Sequence, residues 1–336
     1  FKKAYDYALQ SDIKQSAADM AANTGDAYIF KDDLPKGAEW YRRALYLADS
    51  LNMSKKATAS IYMGLGRIYT QMQDYKTASY YYKDAEKQYD IMQPNMKIYF
   101  LNNYGNFYYY QQDYTNALKM FLRMKDEIER TQGADGNDAN DINLCRINLA
   151  DVYLNLGNID SAQVLVDKCE PFYRKYNVEV AIYYLNTIKI GICLKKNNLQ
   201  CVRNILDGEN YRYAIEQPLK SIRARYMKDY YIMTSNYDKA LEIIEQSRQE
   251  QDSLAHNKMN MRTNEIMLRF TADTLKLHHQ IAINKKNDEM KAAHLTIAIV
   301  ILLLIILMLG NAYLIIYIRK RKLQEQLSNN NLQLEK

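Results

Sequence analysis

The stretch Leu65-Gly66-Arg67-Ile68-Tyr69-Thr70-Gln71-Met72-Gln73-Asp74-Tyr75-Lys76-Thr77-Ala78, followed by Tyr82 and Ala85, decides the fold. Gly66, Ala78 and Ala85 are small enough to let two antiparallel helices approach closely, and Tyr69 and Tyr82 fill the space beside them. The Asp74-Tyr75 pair sits between the two helical runs, where an Asp side chain can accept from the free backbone N–H groups of the second helix. The reading is of two helices joined by a capped turn.

The unit returns along the chain. It recurs as Gly105, Tyr108, Asp113-Tyr114, Ala117, Phe121 and Met124, then as Ala150, Tyr153, Gly157-Asn158, Ala162, Val166 and Cys169. Upstream, Gly25, Tyr28, Gly37, Tyr41 and Ala44 keep the same offsets. Downstream the pattern thins to Ile190, Cys193, Val202 and Leu206, then partly recovers at Tyr231, Tyr237, Ala240 and Ile244. Phe1 and Ala4 match the end of a second helix from a preceding repeat. Fixed self-similarity of this kind marks a stacked array, since one helix pair cannot bury its apolar face alone. Composition agrees, because 11 Gly and 4 Pro in 336 residues are too few turn formers for a sandwich, a barrel or an α/β domain. The 31 Tyr, against 7 Phe and one Trp, suit helix–helix seams where the ring packs and the hydroxyl finds a partner.

These offsets resemble the tetratricopeptide repeat family over roughly residues 1–250. The units around Gly66 and Gly105 match most closely, and spacings of 38 to 45 residues exceed the family's usual 34. The resemblance implies an all-α solenoid of about six helix pairs over residues 1–247, with a groove lined by first-helix residues. Transferring the family's offsets gives Met63, Arg67, Thr70 and Gln71, then Tyr99, Asn102, Asn106, Tyr109 and Tyr110, then Asp151 and Asn155. Asn, Tyr and Arg together suit a protein or peptide ligand held by its backbone amides and one anionic group. A solvated groove with no specific ligand would look the same. The Lys/Arg/Asn clamp of chaperone-binding members is echoed only by Arg67 and the Asn residues.

Residues 295–318 read LTIAIVILLLIILMLGNAYLIIYI, 24 residues without a charge. At about 1.5 Å of rise per residue such a helix crosses a hydrocarbon core of about 30 Å. Asn311 is the one strongly polar side chain inside, placed either to bond a partner helix or to face water or backbone near the interface. Arg319-Lys320-Arg321-Lys322 follow directly, whereas Lys285, Lys286 and Lys291 on the other side are diluted by Asp288 and Glu289. The positive-inside rule then puts the C-terminus in the cytoplasm and the repeats outside it.

Residues 248–294 form a pre-membrane linker helix, with Leu254, Met261, Leu268 and Leu275 every seven residues and Met267, Phe270, Leu277 and Ile281 beside them. Residues 319–336 begin a short coiled coil at Leu323, Leu327, Asn330 and Leu334. Both patterns fit a homodimer. The order of parts resembles bacterial membrane sensors, and Asn264 through Leu275 with Asn284-Lys285-Lys286 resembles their pre-membrane helix. That resemblance implies relay to a cytoplasmic output domain beyond Lys336, a histidine kinase first and a helix-turn-helix DNA-binding regulator next. The other reading is a non-signalling, membrane-tethered scaffold. Phe1, with neither an initiator Met nor a signal peptide ahead of it, is expected of a fragment or a mature form.

Local chemistry is absent from the sequence. No GxGxxG, GxxxxGK[ST] or GxSxG occurs, and His256, His278, His279 and His294 join no metal-ligand cluster. The loop around Asp135 and Asn137 lacks the Gly and distal Glu of a calcium loop, with Ala139 at its third ligand position. Cys145, Cys169, Cys193 and Cys201 lack CxxC spacing and read as small buried residues, or as a disulfide if the repeats lie in an oxidising compartment. The net charge of +6 gathers at the membrane flank rather than on a nucleic-acid-binding face. The expectation is therefore no enzyme, no cofactor, no metal and no nucleic acid within these residues.

Overall fold

Each turn between paired helices is built the same way. Gln73, Gln112, Gly157, Asn197 and Ser235 take positive φ between 52° and 83°, the left-handed conformation that ends a helix. The next residue is Asp74, Asp113, Asn158, Asn198 or Asn236, whose side chain accepts from the backbone N–H of Thr77, Asn116, Ser161, Cys201 or Lys239 at 3.0–3.4 Å. The backbone N–H of that same residue donates back to the carbonyl of Tyr69, Tyr108, Tyr153, Cys193 or Tyr231 at 2.8–3.0 Å. One residue thus closes the outgoing helix and opens the incoming one. Asp33 repeats both bonds, to the Lys36 N–H and from its own N–H to the Tyr28 carbonyl.

The computed structural model describes the backbone of residues 1–10, 14–31, 33–51, 53–132, 140–213 and 215–334. It describes their side chains apart from 10, 14–15, 55–57, 132, 260–282 and 328–334. A first helix α1 (Lys2–Gln10) precedes the pairs α2 (Lys14–Ile29) with α3 (Leu34–Ser50), and α4 (Lys55–Gln71) with α5 (Tyr75–Glu86). There follow α6 (Pro94–Tyr110) with α7 (Tyr114–Gln132), α8 (Asn140–Asn155) with α9 (Ile159–Lys175), and α10 (Glu179–Lys195) with α11 (Leu199–Asp207). Last come α12 (Gln217–Met233) and the start of α13 (Tyr237–Leu334). Among the described residues no strand is present, and the array is the all-α solenoid the repeats imply. Successive first helices also touch each other, α2 with α4, α4 with α6, and so on to α12, which draws that row to the inner side of the curve.

The repeat residues fill the seams as their sizes require. Ala44, Ala78, Ala85, Ala117, Ala150 and Ala162 are wholly buried. A Cβ at Gly105 would lie 2.5 Å from the Phe121 ring, and one at Gly66 would lie 2.9 Å from the Tyr82 ring. Both close approaches join the first helix of a pair to its second. Beyond the array's seams, Arg223 forms a buried 2.6 Å ion pair with Glu209, which ties the segment between α11 and α12 to the array.

The chain divides into two compact units, Phe1–Leu268 and Arg269–Lys336. Within the first, α13 returns along α12: Ala240 is buried, and Glu250 accepts from Ser221 at 3.0 Å and from Gln217. Its Lys258 then comes within 3.5 Å of the Gln73 carbonyl. The second unit contains the one described segment long and apolar enough to cross a membrane, Ile283–Leu327. The backbone is helical through the linker and beyond the apolar segment. The side chains of Met261, Met267, Leu268, Phe270, Leu275, Leu277, Ile281, His278, His279, Asn330 and Leu334 lie outside the described residues, as does the Asp135 loop.

Cys145 and Cys169 are buried free thiols, as their surroundings predict, and burial pushes both up to about 12. Cys193 and Cys201 form a disulfide.

A positive φ is unfavourable for any residue with a Cβ, so Gln112→Gly should stabilise the array by roughly 0.5–1 kcal/mol, and Gly157→Ala should destabilise it by about 1 kcal/mol. Urea midpoints of the solubilised protein check both directions.

Candidate binding groove

The eleven residues assigned to the groove divide into two neighbourhoods. In the first, Arg67 on α4 pairs with Asp26 on α2 at 2.5 Å. Tyr41 of α3 also hydrogen-bonds Asp26, and its hydroxyl is raised by burial first and by that carboxylate second. Tyr99, 42% exposed on α6, lies close enough to interact electrostatically with Arg67. Two buried atoms here have no hydrogen-bond partner among the described residues: Arg67 Nε, a donor, and Gln71 Oε1, an acceptor. They stand one helical turn apart on α4, so they share a face. Asn102 is half-buried, and its Oδ1 accepts from Asn148 Nδ2 at 2.8 Å, linking α6 to α8. Asn106 and Tyr110 are half-buried on the same helix.

The second neighbourhood is closed. Asp151 on α8 is fully buried and accepts from Tyr184 at 2.7 Å, from Tyr226 at 3.5 Å and from Asn155 at 2.9 Å. Tyr109 completes the ring of donors. Arg225 reaches over it from α12, donating to Tyr114 at 3.2 Å and to Tyr109 at 3.3 Å. Four helices, α6, α8, α10 and α12, therefore converge on one carboxylate, and α7 joins them through the Tyr114–Arg225 bond. Burial raises the Asp151 carboxyl above its ordinary range, against the four hydrogen-bonding and charge effects that lower it.

Four of the assigned residues are thus buried. Met63 packs in the core, Thr70 donates to the Gly66 carbonyl at 2.8 Å, and Tyr109 and Asp151 belong to the closed network. Arg67, Gln71, Tyr99, Asn102, Asn106, Tyr110 and Asn155 keep some access to solvent. Family offsets carry a first-helix position but not the depth at which a neighbouring repeat covers it. Asp26, Tyr184, Arg225 and Tyr226 were not assigned, because their contacts run to other repeats.

Among the described residues no cluster of His, Cys, Asp or Glu has the arrangement to hold a metal. The partly exposed face offers amides, hydroxyls and one guanidinium.

Asp151→Ala would leave Tyr184 and Tyr226 hydroxyls buried without their acceptor and should cost roughly 2–4 kcal/mol. Asp151→Asn should cost less and should alter the pH profile. A carboxyl raised in the folded state favours folding at low pH, and that contribution is lost as pH climbs from the ordinary value of 3.8 through the raised one. Denaturation midpoints between pH 3 and 8 should show that slope in the native protein and not in Asp151→Asn.

No curated protein matches the chain. Among solved structures, the crystal structure of BtubC (BKLC) from P. vanneervenii is similar at a TM-score of 0.44 and 11% identity, covering 71% of this chain and 92% of that one. Residues 16–90, which hold the pairs α2–α3 and α4–α5, match the tetratricopeptide repeat family model, and the units read across that segment are tetratricopeptide repeats.

Proposed function

We propose that the chain is the ligand-binding and membrane-crossing part of a receptor. Its repeats bind an extended peptide or a protein segment, and its long helix relays binding across a bacterial inner membrane to a cytoplasmic output domain. A histidine kinase is the favoured output and a DNA-binding regulator the next. Tetratricopeptide repeats imply a protein partner in general. The observation that carries the finer reading is the pair of orphaned atoms on α4. An unpaired buried donor or acceptor costs about 1–3 kcal/mol, and Arg67 Nε and Gln71 Oε1 are one of each on half-buried side chains, a demand that a small side-chain movement would turn toward a ligand. An extended backbone presents the complement, a carbonyl and an N–H, at nearby positions. Tyr99, Asn102 and Asn106 flank the same row and would hold the next peptide units. The Asp151 network fills its own neighbourhood, which favours the α2–α4–α6 part of the row as the binding surface.

Orientation rests on two independent features. Basic residues crowd Arg319–Lys322, favouring a cytoplasmic C-terminus. The Cys193–Cys201 disulfide suits an oxidising compartment on the other side.

A photo-crosslinking amino acid at Tyr99 should capture a polypeptide in cells, and Arg67→Ala with Gln71→Ala should cut the yield several-fold. The same probe at Tyr80, exposed on the second-helix side, should capture none; equal capture at both positions would remove the groove assignment. Alkylation before and after reduction should find Cys193 and Cys201 oxidised in freshly lysed cells, and two free thiols there would place the repeats in the cytoplasm. Deleting residues 1–250 from the full-length protein should change its output, whereas unchanged output under all conditions would leave a tether or scaffold.

A further inference from the structure

The apolar segment of the second unit carries one carboxamide between residues 295 and 318, that of Asn311. Every residue of the apolar segment is exposed, with no part of it buried against the chain. Asn311 lies within it, and the neighbouring Gly310 has nothing within 4 Å of where a Cβ would stand. Counting from the midpoint of residues 295–318 at about 1.5 Å per residue, Asn311 lies roughly 7 Å from the bilayer centre. The hydrocarbon boundary is about 15 Å from that centre. The carboxamide is thus inside the apolar layer, where an unpaired amide is costly.

A carboxamide is donor and acceptor at once, so its electrostatic complement is a second carboxamide facing it. Helical spacing shows what would surround that contact. Ile297, Val300, Leu304, Leu307, Asn311, Leu314 and Ile318 follow alternating three- and four-residue steps, which align them along one side of a helix. Any register in this segment would be apolar, and Asn311 selects one. All six apolar members are between 46% and 64% exposed. Continuing the steps brings Arg321 and Glu325, which pair with each other at 3.7 Å, so the seam stops at Ile318. Leu323 and Leu327 fall on another side of the helix and belong to no continuation of it.

We propose that a second copy of this chain occupies this seam, as a parallel helix pair within the membrane, with the two Asn311 carboxamides hydrogen-bonded to each other. One polar residue in an a-type core position fixes register and orientation in such pairs, so Asn311 sets the rotational position of the two spans. The inference deepens the receptor reading and rests on the segment spanning the membrane.

The full chain is tested in its native membrane with single cysteines placed along the segment and oxidised. Crosslinked dimer should peak at Leu304, Leu307, Leu314 and Ile318 and fall to a minimum at Leu302, Leu309 and Tyr313. Interhelical bonds in bilayers are worth roughly 1–2 kcal/mol, so Asn311→Leu should weaken self-association by about 5- to 30-fold, and Asn311→Gln should restore much of it. Dimer unchanged in Asn311→Leu, a maximum at Leu309 or Tyr313, or crosslinks to a different protein would each overturn the pairing. Alkaline extraction run in parallel separates the two readings. A chain that stays in the membrane with flat crosslinking loses only the pair, and a chain that is extracted loses the membrane span itself.

Discussion

The array depends on a single backbone arrangement, a left-handed residue followed by an Asp or Asn that serves two helices. A helix end leaves carbonyls unsatisfied, and the next helix begins with unsatisfied N–H groups. Asp74, Asp113, Asn158, Asn198 and Asn236 address both with one residue, through the backbone N–H on one side and the side-chain oxygen on the other. The reversal is therefore tight and its angle reproducible. Only a reproducible angle brings Gly105 against Phe121, or Gly66 against Tyr82, at distances where an added methyl would collide. The turn comes first; the small-residue seams are its consequence.

That causal order explains what was legible. The helix pairs, their turns and their small and aromatic positions are local, set within about twenty residues, so spacing reveals them even where Ile190 and Cys193 replace the commoner types. The disulfide was legible in principle. Cys193 and Cys201 stand symmetrically about Asn197, the left-handed residue of their turn, and antiparallel helices bring such positions face to face. Scanning for CxxC or metal spacing passes over that symmetry. The Asp151 network was not legible, because Tyr226 reaches it across 75 residues and Arg225 reaches Tyr109 across 116. Such contacts depend on the accumulated rotation between pairs, and no local spacing encodes it. For the same reason, Tyr109 and Asp151 look like groove residues by position and are core residues by depth.

The closed network and the open row are two outcomes of one architecture. Where later repeats curl back, first-helix side chains meet and must satisfy each other, which Asp151 manages by collecting donors from hydroxyls and an amide. Toward α2, α4 and α6 similar side chains are only partly covered: Tyr99, Asn102 and Asn106 keep some access to solvent, while Arg67 Nε and Gln71 Oε1 lie buried without partners. A fully satisfied polar core is rigid, since breaking any member strands the others in a low-dielectric interior. The array thus has a stiff part between α6 and α12 and an accessible part between α2 and α6.

This division bears on how binding would be felt at the membrane. Helix α13 leaves the stiff part, held to α12 through Ser221 and Glu250, and its Lys258 comes beside the Gln73 carbonyl in the turn of the accessible part. In the proposed receptor, a ligand that bonded Arg67 and Gln71 would act on α4, the helix that ends at that turn. Any shift of α4 relative to the stiff part must then change the contact at Lys258 or move α13 with it. That contact, with the Lys258–Asp74 ion pair at 4.0 Å beside it, would by itself transmit little, a surface ion pair being worth about 1 kcal/mol or less. In the proposed receptor the leverage would come instead from the stiffness of the Asp151 core, which would keep the later repeats from absorbing the displacement and leave α13 as the softer element.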